Sequence, residues 1–121
     1  MLKTQSSKHY DLEDRSFNFA KRCADFIRKA PRTLTNIEYC KQLARASRSQ
    51  AANYIEANES LSKKDFAHRI KISRKESKES RLWLRLIEVG NNNDLQREQE
   101  SLIVEALELT KIYGSIVEKS Q

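Results

Sequence analysis

One continuous stretch, from Ser62 to Val89 and followed by Gly90, constrains the fold most strongly, because it predicts a single long helix. Ser62 and Asp65 form a Ser-x-x-Asp capping box at its start, and glycine suits the left-handed position just beyond a helix end. Small and apolar residues recur at steps of three and four, which predicts a face packed against a partner helix. The residues of this face are Phe66, Ile70, Ser73, Ser77, Ser80, Leu84 and Ile87. The serines make its middle narrow, so we expect a second helix to approach closely there.

Five basic residues follow the same helical spacing along one edge of this stretch. We call them the basic stripe: Lys71, Arg74, Lys78, Arg81 and Arg85. At about 1.5 Å per residue the stripe is about 21 Å long. Between Lys63 and Arg85, nine lysines and arginines oppose three acidic residues, a net charge of +6 that equals the charge of the whole chain. Basic residues four positions apart repel each other and destabilise an isolated helix, so we expect the stripe to meet an acidic partner.

Composition and spacing predict three further helices. Two glycines and one proline in 121 residues, with 33% charged residues, favour long helices over a sheet. The first helix is predicted over 11–30 and the second over 37–58, and the fourth follows a polar turn at 91–94. Because the connections are short, neighbours should run antiparallel, which predicts an all-α, up-down-up-down four-helix bundle. We expect one domain over residues 10–121, preceded by a flexible arm of residues 1–9.

The apolar faces of these helices predict both a core and surplus surface. The inner face of the second helix is predicted to comprise Ile37, Cys40, Leu43, Ala44, Ser47, Ala51, Tyr54 and Ile55. The apolar faces of the first and fourth helices are wider than one core contact requires. This surplus predicts that the chain associates with copies of itself.

The sequence favours a reduced, cytoplasmic protein. It has no apolar run long enough to span a membrane, and its first residues lack the apolar core of a signal peptide. Cys23 and Cys40 show no paired spacing, so we expect buried free thiols rather than a disulfide or a nucleophile.

Candidate enzymatic and metal sites are weak. Asp65 and His68 have the spacing found in carboxylate-bridged metal bundles, but such sites require a second motif, and the only other histidine is His9. Lys63 and His68 have the spacing of a helical-bundle toxin ribonuclease without its arginine. No glycine-rich phosphate loop is present. We therefore expect no metal, no cofactor and no small-molecule substrate, and we predict a protein that is not an enzyme.

Several blocks of the sequence resemble a known family. AANYIEANESLSKKDFAHRIKISRKESKES, LWLRLIEVG and YDLEDRSFNFAKR are similar to the four-helix-bundle proteins encoded in intervening sequences of bacterial large-subunit (23S) ribosomal RNA genes. The similarity spans about Tyr10 to Tyr113. It implies a four-helix bundle, a ring of five subunits, nucleic-acid binding and no established enzymatic activity. The chain departs from the family at Ser73 and Ser77, where relatives tend to have alanine, and at Arg48 and Gln50, where a small or apolar residue is more usual.

The most specific part of the resemblance contains a set of polar motif residues. They are Asn53, Tyr54, Glu56, Asp65 and Glu76. We interpret them as a structural network that fixes helix register, with Asp65 acting as a cap. Glu76 and the nearby Glu79 are expected to hydrogen-bond to Asn53, Tyr54 or Arg69 across the bundle.

Three functions remain open at this point. In the first, the basic stripe binds RNA or another nucleic acid through its phosphates. In the second, the stripe serves assembly and pairs, within or between subunits, with the acidic edge of the fourth helix. That acidic edge consists of Asp94, Glu98, Glu105 and Glu108. In the third, the protein is an accessory subunit of a nucleic-acid enzyme such as a reverse transcriptase.

Overall fold

The computed structural model describes residues 8–120, and side chains from residue 12 onward. Within this range the chain forms four α-helices packed against one another, without a strand. They are α1 (Lys8–Lys29), α2 (Leu34–Ala57), α3 (Lys63–Leu86) and α4 (Asn93–Lys119). Residues 1–7 of the predicted N-terminal arm lie outside the described residues. The all-α prediction is confirmed.

The helices occupy the corners of a square in chain order. Each helix packs against its two neighbours in the cycle α1–α2–α3–α4, and the diagonal pairs make no close backbone contact within the described range. Neighbours run antiparallel, because contacting positions change in opposite directions: Arg45 pairs with Glu76, while Asn53 pairs with Arg69, across α2 and α3. Every helix therefore has one face toward a shared core and one toward its surroundings.

Side-chain caps set the starts of the last three helices. Thr33 Oγ1 accepts from the Asn36 amide at 3.2 Å, Ser62 Oγ from the Asp65 amide at 3.0 Å, and Asn92 Oδ1 from the Leu95 amide at 3.0 Å. Each cap satisfies a backbone donor that lacks a partner within its helix. The predicted capping position of Ser62 is thereby confirmed.

The third helix ends earlier than its sequence pattern predicts. Its last residue is Leu86, and Ile87 is extended, with ψ 132°. Gln99 Nε2 of α4 donates to the carbonyls of Leu84 at 2.8 Å and Ile87 at 2.7 Å, which satisfies acceptors at the helix end. Gly90 does adopt a left-handed conformation, with φ 71°, but in the turn three residues further on.

A buried asparagine joins the two links at one end of the bundle. Asn36 Nδ2 donates to the carbonyls of Pro31 at 2.9 Å and Glu88 at 2.8 Å, and its Oδ1 accepts from the Glu88 amide at 3.0 Å. Asn36 is fully buried. Its side chain thus fastens the α3–α4 link to the α1–α2 link.

The narrow face of α3 packs as predicted, whereas the predicted inner face of α2 is partly wrong. Ser73, Ser77 and Ser80 are fully buried. On α2, however, Ile37 and Ile55 remain 39% and 42% exposed. The core position is taken instead by Gln50, which is fully buried because its polar atoms find partners there.

None of the four helices contains an apolar segment long enough to cross a membrane, within the described residues. Both cysteines are free thiols. Cys23 is fully buried, and Cys40 is half-buried.

Candidate nucleic-acid interface

The basic stripe lies on the flank of α3 that faces α4. Gly114 of α4 marks this contact, since a Cβ atom at that position would lie 3.5 Å from Cδ and 3.9 Å from Nη1 of Arg74. Glycine within a helix costs roughly 1 kcal/mol relative to alanine. Here the missing side chain gives Arg74 room to lie across the backbone of α4.

The five side chains of the stripe differ in burial. Four of them are exposed, namely Lys71, Arg74, Lys78 and Arg85. Arg81 is half-buried. The Nε atom of Arg81 is buried and has no hydrogen-bond partner among the described residues. Arg74 is therefore held against the flank of α4, the side chain of Arg81 is partly buried, and the remaining three cations are exposed.

No carboxylate neutralises the stripe within residues 12–120. Every ion pair of 4.0 Å or shorter in that range involves other cations, which are Arg15, Arg22, Arg28, Lys41, Arg45 and Arg97. The stripe is thus a row of five cations about 21 Å long, by helical rise, without an internal counter-charge.

The acidic edge of α4 faces α1 instead. Arg15 donates two hydrogen bonds to Glu105, at 2.7 and 2.9 Å, and lies 3.8 Å from Glu108. The hydrogen bond to Glu105 holds the pKa of Arg15 above its ordinary value. Arg22 contacts Glu98 at 3.4 Å. Pairing of this edge with the stripe within one chain, which is one form of the assembly alternative, is therefore not observed among the described residues.

The fourth residue of the acidic edge, Asp94, pairs with a residue of its own helix. Asp94 pairs with Arg97, one turn further along α4. Both side chains are exposed, and such pairs within a helix contribute little to stability. Asp94 therefore does not reach the stripe in the folded chain.

The polar motif residues lie on α2 and α3, and the structure gives contacts for several of them. Asn53 Oδ1 accepts from Arg69 Nη1 at 3.0 Å, and the ring of Tyr54 packs on that of Tyr113 with centroids 5.8 Å apart. Glu56 and Asp65 are exposed, and Asp65 contributes its backbone amide to the helix cap.

The expected partners of the two α3 glutamates are corrected by the structure. Arg45 of α2 contacts Glu76 at 3.5 Å and Glu79 at 3.7 Å. The antiparallel register places Arg45 level with these glutamates, while Asn53 lies about two turns away, level with Arg69. Oε1 of Glu76 is buried and has no hydrogen-bond partner among the described residues.

Sequence reasoning missed the residue that joins all four helices. Gln50 Nε2 donates to the carbonyl of Ser16 at 2.8 Å, and its Oε1 accepts from the Tyr113 hydroxyl at 2.7 Å. Its own carbonyl accepts from Ser73 Oγ at 2.8 Å. A signal was present, because Leu43, Ser47, Gln50 and Tyr54 follow steps of four, three and four.

The described side chains hold no cluster of three or more potential metal ligands. A depression of about 540 Å³ lies between the α2–α3 link and the end of α4. It is lined by Ser60, Leu61, Ser62, Lys63, Phe66, Lys119 and Ser120, which do not form an acid–base pair. The stripe is consequently the feature of the described surface with the clearest chemistry.

Comparison with known proteins places these features in a family context. The model of the 23S rRNA-intervening sequence protein family matches residues 8–115. The fold is also similar to a crystal structure of a protein of unknown function from the S23 ribosomal protein family of Bacteroides thetaiotaomicron VPI-5482. The two share 28% sequence identity and a TM-score of 0.75, over 87% of this chain and 96% of that one. No curated protein matches the chain.

Proposed function

The chain belongs to the family of 23S rRNA-intervening sequence proteins, and we propose that it is an oligomeric, non-enzymatic protein that binds RNA through the basic stripe. The observation that carries this proposal is the lack of a counter-charge along the stripe. Arg15, Arg22 and Arg45 each contact a carboxylate, whereas the five stripe residues contact none within residues 12–120. A polyanion is the partner that would neutralise all five cations at once.

The proposed contact is to phosphates rather than to base edges. Lysine and arginine side chains in a row supply charge and hydrogen-bond donors, which position a nucleic acid without reading its sequence. Binding should therefore depend little on base sequence and strongly on salt, because each neutralised phosphate releases counterions.

Self-association is the second part of the proposal. Phe17 on α1 is 56% exposed and Val104 on α4 is 58% exposed. Ile37 contributes to a mainly apolar depression of about 300 Å³ between α1 and α2, together with Ile27 and Cys40. We propose that copies of the chain cover such apolar surface, in the ring of five that the sequence resemblance implies.

A double variant tests the RNA-binding role. Arg74→Gln with Arg81→Gln removes two cations of the stripe, and the affinity of this variant for a structured RNA is measured over a range of salt concentrations. The slope of log affinity against log salt should fall by about two units for each subunit engaged. The matched control is Arg32→Gln with Arg48→Gln, which removes the same charge from exposed positions outside the stripe. The control should retain most of the affinity and the slope.

Sedimentation of the same proteins separates RNA binding from assembly. The proposal expects an intact oligomer with weakened RNA binding. The alternative in which the stripe pairs with carboxylates of a neighbouring subunit expects the opposite, a loosened oligomer whose weak RNA affinity hardly changes. Glu98 and Glu108 retain partly exposed carboxylates, so they are the groups on which that alternative depends.

A further inference from the structure

We infer that the basic stripe recognises the backbone of double-stranded RNA in preference to single-stranded RNA, an inference that rests on the RNA-binding role proposed above. Three features of the α3–α4 surface carry it. The first is that no aromatic ring beside the stripe is available to stack on bases, among the described residues. The second is the number of phosphates that a duplex or a single strand presents along the length of the stripe. The third is the restraint on two of the stripe arginines.

The first feature is the placement of the aromatic side chains. Proteins that bind single strands without sequence preference stack the bases on aromatic rings along a basic groove. Within residues 12–120, Trp83 instead stacks on Tyr39 of α2, with centroids 6.2 Å apart and planes at 25°, and Phe66 packs on the core. Tyr113 is fully buried. The exposed Phe17 belongs to α1, which makes no close backbone contact with α3 in the described range.

The surface of α4 beside the stripe supplies no ring either. Arg74 lies against Gly114, and the antiparallel register places half-buried Ile103 and Leu107 further along this flank, toward Arg85 and Arg81. A single strand bound here would leave its bases without aromatic contacts. A duplex requires none, because its bases are already stacked and paired with each other.

The second feature is electrostatic. A duplex carries one phosphate per about 1.7 Å of its axis, against about 3.4 Å for one strand. A stripe about 21 Å long therefore runs beside about 12 duplex phosphates, or about 6 in a single strand. Where charge alone drives binding, the partner with the greater charge density releases more counterions.

The third feature is the restraint on two of the stripe arginines. Arg74 is held against Gly114, and the Nε atom of Arg81 is buried without a partner among the described residues. Seven residues separate them, which corresponds to about 10.5 Å along α3. Cations fixed at a set spacing suit a rigid array of phosphates, whereas a flexible strand loses conformational entropy when it is ordered against them.

Paired titrations of the unmodified protein test this inference. The probes are a fully paired RNA duplex and an unstructured oligouridine with the same number of phosphates, each titrated at several salt concentrations. Salt slopes are about 0.9 per contact for a duplex and about 0.7 for a single strand, so five contacts differ by about one unit. The duplex should therefore bind about tenfold more tightly at about 0.1 M salt.

A second experiment tests whether the basic stripe causes the preference for duplex RNA. Lys71→Gln with Lys78→Gln changes two exposed residues whose loss should leave the fold intact, and this variant should lose much of the duplex preference. The control Arg32→Gln with Arg48→Gln should keep it. Equal or tighter binding of oligouridine, or an unchanged preference in the Lys71 and Lys78 variant, would overturn the inference and leave RNA binding itself standing. Binding of neither probe would instead overturn the proposed function.

Discussion

The hydroxyl of Tyr113 donates a 2.7 Å hydrogen bond to Oε1 of Gln50 across the diagonal of the bundle, between helices whose backbones do not approach each other. Both side chains are fully buried. The bond belongs to a set that also reaches Ser16 of α1 and Ser73 of α3. One level of the bundle is therefore held by polar contacts among all four helices.

Gln50 and Ser73 contribute to this polar set in different ways. The Gln50 side chain bonds to α1 and α4, and the Ser73 hydroxyl bonds to the backbone of α2. Such a set is stable only if every buried polar atom has a partner. The Ser73 hydroxyl bonds to the backbone carbonyl of residue 50, which any residue at that position would retain. The costs of changing the two side chains should therefore be about additive.

The first prediction concerns Gln50. Gln50→Leu keeps a similar volume but removes the acceptor of the buried Tyr113 hydroxyl, at about 1–3 kcal/mol. It also removes the second donor to the Ser16 carbonyl, which keeps its hydrogen bond within α1. We expect the free energy of unfolding, measured by urea denaturation, to fall accordingly. Gln42→Leu is the control, because Gln42 is exposed on the same helix. Tyr113→Phe should cost less than Gln50→Leu, and equal stability of Gln50→Leu and the unmodified protein would contradict the prediction.

The second prediction concerns the clamp formed by Asn36. Asn36→Asp keeps the shape but places a carboxylate against the carbonyls of Pro31 and Glu88, which now receive no donor. We expect a loss of more than about 2 kcal/mol at pH 7, because a buried acceptor faces acceptors. Asn91→Asp, at an exposed position in the α3–α4 link, is the control and should have little effect.

Acidification provides a further check on the Asn36 variant. Burial should raise the pKa of the introduced carboxyl in the folded state, so its penalty is absent when it is protonated and appears as the pH rises. Relative to the unmodified protein, the variant should therefore recover stability as the pH falls toward about 4. A deficit that does not change with pH would mean that lost packing, not charge, is responsible.

Helix periodicity was sufficient to predict most of the fold. The face from Ile70 to Leu84 repeats at steps of three and four, and its residues are buried as expected. The cap at Ser62 is also predictable, because it depends on residues close in sequence. The end of α3 is not predictable in this way, because it depends on Gln99, which approaches it from another helix.

Sequence spacing also does not predict the partners of buried polar and charged groups. The predicted inner face of α2 does not include Gln50, yet Gln50 is fully buried because its partners come from three other helices. The same limit applies to Glu105, whose partner Arg15 is 90 positions away. Spacing predicts which face a residue occupies, but not which neighbour meets it there.

The third prediction concerns alkaline pH. Burial raises the pKa of the Cys23 thiol from 9.0 to about 12, chiefly by desolvation. The folded pKa exceeds the unfolded one, so stability is intact below about pH 9 and is lost progressively toward pH 12, by up to about 1.4 kcal/mol per pH unit. Burial raises the pKa of Tyr113 in the same direction.

Cys23→Ala isolates the contribution of the thiol. Its free energy of unfolding at pH 7 will be lower because a small cavity is created, but it should fall less steeply between pH 9 and 11 than that of the unmodified protein. Cys40→Ala is the control, since Cys40 is only half-buried. Identical slopes for Cys23→Ala and the unmodified protein would show that the tyrosines alone cause the alkaline loss.

The last prediction uses Gly114 to move Arg74 without changing it. In Gly114→Ala the new Cβ lies at an ordinary contact distance of 3.5 Å from Arg74 Cδ, so the helix gains up to about 1 kcal/mol and RNA binding persists. In Gly114→Leu the larger side chain must occupy the space of Arg74, so RNA affinity should fall as it does in Arg74→Gln. Ser115→Leu, at the exposed neighbouring position, should have no such effect.

A double variant tests whether Gly114→Leu acts through Arg74. Because both changes act through one contact, Gly114→Leu combined with Arg74→Gln should bind no more weakly than Arg74→Gln alone. Additive losses in the double variant, with the oligomer intact by sedimentation, would mean that Gly114 acts on binding by another route and that the packing of Arg74 on α4 does not matter for RNA.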